Sequence, residues 1–178
     1  MGKLFQDLVD NELLLDWANT LDWLFDDNRF STDKGWNSGY VSQFTKRIKR
    51  FDGLSDKNGS FLVGKAEDLG FPQRIGKERR KPKVVMIKGE SIARDYVRHI
   101  RNGIAHGRSR IIRDSDELHI EILDFGKDGD AQKKNQTAYI FIPVSYITKS
   151  MQVYNEIERS IAHTTEKDRK TRNAKGSR

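Results

Sequence analysis

The chain has 178 residues, 35% of them hydrophobic and 33% charged, so it holds one domain with a modest core and leaves no room for two independent ones. With no cysteine, disulfides and thiolate metal sites are excluded, and no run approaches the roughly 20 apolar residues of a membrane helix. The formal charge of +7 is unevenly placed: residues 7–33 carry eight acids against Arg29 alone, whereas residues 94–113 carry six arginines against Asp95 and no lysine. Two further basic runs, 74–83 (RIGKERRKPK) and 164–178, hold six bases each. Such a distribution points to a polyanionic partner, and arginine is the base whose planar fork grips phosphate through two hydrogen bonds. Acids within the first fourteen residues argue against a secretory leader, so a cytoplasmic protein is expected.

Leu14, Trp17, Ala18, Leu21, Leu24 and Phe25 recur at spacings of three and four, which predicts an amphipathic helix over about residues 7–26. Tyr40, Val41, Phe44, Ile48 and Phe51 mark a second helix, ended near Gly53. Residues 54–83 keep no period and contain Pro72 and Pro82, so an irregular basic insert is expected there. A third helix is predicted from Glu90 to Ala105 on an apolar face of Ile92, Ala93, Tyr96, Val97, Ile100 and Ile104, with Gly107 as its left-handed stop. The segments RIIR and ELHIEILDF read as a hairpin and TAYIFI as a third short strand, together a β insert over 108–142. Pro143 opens a last helix striped by Ile147, Met151, Tyr154, Ile157 and Ile161. Residues 1–163 would then form a single domain, and residues 164–178, which lack large apolar side chains, a disordered basic tail.

The stretch IRNGIAHGRSR, residues 100–110, concentrates the chemistry. At about 100° per residue, Asp95, His99, Asn102 and His106 fall on one narrow helical stripe, expected on the side away from the apolar face. Arg101 lies about 140° from His106 on an ideal helix. Gly103 costs about 1 kcal/mol against alanine in a helix interior, which signals a close approach by a ligand, a neighbouring backbone or a second subunit. Histidine both takes and gives protons near neutrality, and the helix C-terminus favours its protonated form. RNA carries its own nucleophile, the 2′-hydroxyl, so a base, an acid and a cation suffice to cut it without a metal.

Arg101 and His106 separated by four residues, with Asn102 directly after the arginine, resemble the Arg-x4-6-His motif of the HEPN (higher eukaryotes and prokaryotes nucleotide-binding) superfamily. The resemblance implies a mainly α, four-helix bundle with the motif at the end of the third helix. It also implies a metal-independent endoribonuclease, with no cofactor, of the toxin-antitoxin or antiviral-defence kind. Its active site would be assembled across a homodimer, with Arg101, Asn102 and His106 catalytic. Arg98, Arg108 and Arg110 are candidate RNA contacts, and Asp95 and His99 candidate supporting groups. Arg108 stands where one toxin subgroup carries the tyrosine modified by its antitoxin, so no particular antitoxin is implied. Two other classes compete: a module that binds RNA or DNA without cutting it, and a metal site of Asp95, His99 and His106, for which three ligands on one helix are a weak signal.

Overall fold

The computed structural model describes residues 14–72, 81–114, 117–127 and 134–176. The first turns of the predicted opening helix, the basic residues 74–80, the connection 128–133 and the last two residues lie outside that set. Helices α1 (Leu14–Phe25) and α2 (Ser38–Ile48) are followed by strands β1 (Phe61–Gly64) and β2 (Lys83–Ile87), then by helix α3 (Ile92–Ala105). Strands β3 (Ser109–Asp114), β4 (Glu117–Lys127) and β5 (Lys134–Pro143) lead into the long helix α4 (Val144–Gly176).

The five strands form one mixed sheet in the order β1-β2-β5-β4-β3, with β1 parallel to β2 and every other pair antiparallel. This corrects the expectation of a mainly α bundle carrying a small β insert: the fold is α/β, a helical layer on a sheet. The reason is long-range pairing. β2 is KVVMI, whose Val84, Val85 and Met86 are all buried, so it shows no alternation, and its antiparallel partner β5 begins about fifty residues later. The segment 54–83 therefore supplies β1 and the first residue of β2 where an irregular insert is expected. No helix of the described residues is long and apolar enough to cross a membrane.

Period-two alternation assigns each strand two faces. Leu118, Ile120 and Ile122 of β4, with Ala138, Ile140 and Ile142 of β5, join the main core under the helices, together with Tyr96, Val97 and Ile100 of α3. The opposite face carries a smaller cluster of Val85, Tyr139 and Phe141, on which His119 stacks at 5.0 Å from the Phe141 ring. Helix α4 packs on α1, α2 and the sheet through its first five turns and then continues, exposed, over residues 164–172. Over residues expected to form a disordered tail the helix carries on through Gly176, since Lys, Arg and Glu are good helix formers even where nothing packs on them.

Candidate functional site

α3 starts where the Ser91 side chain accepts from the Arg94 amide and stops where Gly107, at φ +64°, lets the Arg108 amide reach the Gly103 carbonyl at 2.8 Å and the Gly107 amide reach that of Ile104. His106 is the C-cap residue of this helix. Gly103 is accounted for within the chain: a Cβ there would stand 2.1 Å from Cγ2 of Ile122 on β4, so the glycine lets the helix settle on the sheet. The close approach inferred from sequence is to the protein's own strand.

That seating decides the fate of the polar stripe. Its first members do not face away from the core, as expected, but press into it. Asp95 is 1% exposed; its Oδ2 accepts from the Gly89 amide at 2.7 Å and its Oδ1 from Arg98 Nη2 at 3.0 Å. Gly89 has no room for a side chain, since a Cβ would lie 2.5 Å from Asp95 Oδ1. His99, 3% exposed, places Nδ1 2.7 Å from Oδ2 of Asp124, and Asn102 donates through Nδ2 to the same oxygen at 3.4 Å. Arg108 Nη1 stands 3.8 Å from the other carboxylate oxygen, with its guanidinium over the Phe125 ring.

Burial alone raises the Asp124 carboxyl, but the hydrogen bond and charge of His99, with the Phe125 amide and Asn102, outweigh it and hold the group below the ordinary Asp value. The ionised Asp124 accepts from Nδ1 of His99, whose Nε2 has no hydrogen-bond partner among the described residues. A cleft of about 250 Å³ opens here, lined by Gly89, Arg98, His99, Asn102, Asp124 and Thr137 among others.

The chain matches no protein-family model, no curated protein and no solved structure.

Arg94, Arg98 and Arg101, spaced four and three, make a second stripe along α3. They line a larger cleft of about 380 Å³ facing the turn 26–32 that follows α1. Arg94 reaches Glu90 at 2.8 Å and the Phe30 carbonyl at 3.0 Å, and Arg101 pairs with the exposed Asp27.

Of the residues singled out by sequence, the structure gathers His99, Asn102, Arg108 and, through Asp95, Arg98. It keeps Arg101 apart from His106, the former on Asp27 and the latter exposed at the helix end, its ring without a hydrogen bond or ion pair to any described residue. Arg110 projects to the opposite face of the sheet, where its Nε donates to the buried Glu121, which also accepts from the Tyr139 hydroxyl at 3.1 Å. Among the described residues no group of three His, Asp or Glu side chains is placed to hold a metal. Sequence reasoning missed Asp124. Its signal was parity: it shares the inward register of Leu118, Ile120 and Ile122, and a carboxylate at an inward position must find a partner.

Proposed function

We propose that the protein is an endoribonuclease that cuts RNA by attack of the 2′-hydroxyl on the adjacent phosphorus, with His106 as the proton-transfer group at the reacting atoms. The reading keeps the chemistry implied by the Arg101–Asn102–His106 motif and drops the bundle fold. The observation that carries it is the exposed, unpartnered imidazole of His106 at the C-terminus of a helix whose cations are all arginine. A strand on this surface meets an imidazole that can move a proton and the Asn102 amide, whose nitrogen is anchored on Asp124 while its oxygen stays available to a ribose hydroxyl.

One chain does not complete the reaction. Internal transfer needs a base at the 2′-oxygen, an acid at the leaving 5′-oxygen and a cation on the phosphoryl oxygens. Within a chain Arg101 and His106 point apart. Two copies related by a two-fold axis through the end of α3 would supply two histidines and bring an arginine of each toward one phosphate. The exposed end of α4, with Lys167, Arg169, Lys170 and Arg172, adds affinity for the strand without chemistry. Purified protein incubated with total RNA in EDTA should leave 2′,3′-cyclic phosphate and 5′-hydroxyl ends and spare DNA. Intact RNA after prolonged incubation with folded protein, or equal cutting of DNA, would sink the proposal.

A further inference from the structure

The larger cleft poses a charge problem that the ribonuclease reading does not use. Its carboxylates each have a cation already: Asp26 with Lys34 at 2.8 Å, Asp27 with Arg101, Glu90 with Arg94 at 2.8 Å, and Asp95 with Arg98 at 3.0 Å. Among the arginines that line the cleft, Arg29 is the exception. It lines the same cleft, is 9% exposed, and has neither an ion pair nor any hydrogen bond to Nε or Nη2. The Trp23 ring lies 4.6 Å from its guanidinium carbon. Burial pushes Arg29 down to about 10, against the pull of Asp26 and other nearby groups, so it stays charged at neutrality.

The fold holds this guanidinium in place rather than letting it swing into water. Phe30, the next residue, takes a left-handed φ of +64°, which a bulky side chain adopts only when its surroundings over-determine it. They do: the Phe30 ring packs edge-on against Trp36, Phe44 and Tyr154, and its carbonyl accepts from Arg94. A buried, unneutralised cation with its hydrogen-bonding edge unused is a defect in a free protein and a binding element once an anion arrives. One bidentate fork satisfies a carboxylate, whereas a phosphate group presents oxygens on several sides and takes several forks, as Arg94, Arg98 and Arg101 around the same cleft would provide.

We infer that this cleft is a phosphate-binding site with Arg29 as its floor, taking the phosphate group of an RNA strand or of a free nucleotide. Arg101 exchanges Asp27 for the ligand, a low-cost step because the Asp27 side chain is 80% exposed. The inference does not depend on RNA cleavage, since it is read by binding alone.

The test is titration calorimetry of the full chain with inorganic phosphate, AMP, a short RNA made uncleavable by 2′-O-methyl groups, and adenosine. Phosphate, AMP and the RNA should bind while adenosine does not. Arg29→Met should weaken the phosphate compounds by about tenfold or more, and Asp27→Asn, which removes a carboxylate competing for Arg101, should tighten them about threefold. AMP binding better than phosphate identifies a free nucleotide as the source. RNA binding tightly, with AMP no better than phosphate, identifies a strand. Absence of binding by every phosphate compound overturns the site, as does unchanged affinity in folded Arg29→Met. Should Arg29→Met not fold, Asp27→Asn decides, because an exposed substitution that leaves affinity unaltered removes the argument.

Discussion

His99 and His106 sit seven residues apart on the same stripe of α3, yet one is built into the sheet and the other is left to solvent. The first gives its Nδ1 to Asp124 and is closed in by β4, and the second closes the helix as its C-cap with an unpartnered ring. Equal angular position on a helix therefore says little about role. What differs is the axial position: the sheet covers the helix through Gly103, and only the last turn passes beyond its cover. The buried histidine is tied into the packing of the sheet, whereas the exposed one is the group to which the proposed function assigns proton transfer.

The sharpest separation of the two comes from His106→Ala. It should lower RNA cleavage by about 10²- to 10⁴-fold, the usual worth of a proton-transfer group, with melting temperature little changed because the residue is exposed and its ring makes no hydrogen bond or ion pair with a described residue. Full cleavage by this variant would remove the chemical half of the contrast. If subunits exchange, mixing it with wild type should depress activity beyond dilution, as a site shared between copies requires.

His99→Gln and Asp124→Asn should act first on stability. Breaking a buried hydrogen-bonded charge pair costs about 3 kcal/mol, or roughly 6–12 °C in melting temperature for a chain of this size. The folded Asp124 pKa lies below its unfolded value, so its stabilisation is present above about pH 4 and lost as pH falls through the folded value. Wild-type stability should accordingly drop more steeply on acidification than that of Asp124→Asn, which chemical denaturation at several pH values will show. Parallel slopes in the two proteins would mean that the pair contributes no charge term.

A smaller effect tests why the upper part of α3 is covered at all. Gly103→Ala gains about 1 kcal/mol in helix propensity but drives a Cβ against the stiff, fully buried Ile122, an overpacking cost of about 1–3 kcal/mol. A net loss of about 1 kcal/mol is expected in urea denaturation, and a net gain would show that the helix stands off the strand. Least of all, Lys34→Ala removes a pair whose side chains are 40% and 36% exposed, and it should move stability by less than about 0.5 kcal/mol.

Much of the helical layer was legible in the sequence. The apolar stripes of α1, α2, α3 and the first part of α4, the Gly107 stop and the hairpin of β3 and β4 all follow from local periodicity and from one glycine's tolerance of positive φ. The motif residues were equally visible, because residue type and spacing are properties of the chain. The partners of those residues were not. Asp124 meets His99 across 25 positions and Arg101 meets Asp27 across 74, and no local pattern encodes such pairings. Nor could periodicity reveal β2, whose residues are buried on both faces, or predict that β1 would close the sheet beside it in parallel. Composition, spacing and helical phase are set by adjacent residues and were determined by the sequence alone. Which side of α3 would be buried, which of its histidines would keep a free ring and which arginine would be left without a counter-ion were decided only when the sheet and the α1–α2 turn closed around that helix, since burial and charge neutralisation depend on what arrives from elsewhere in the chain.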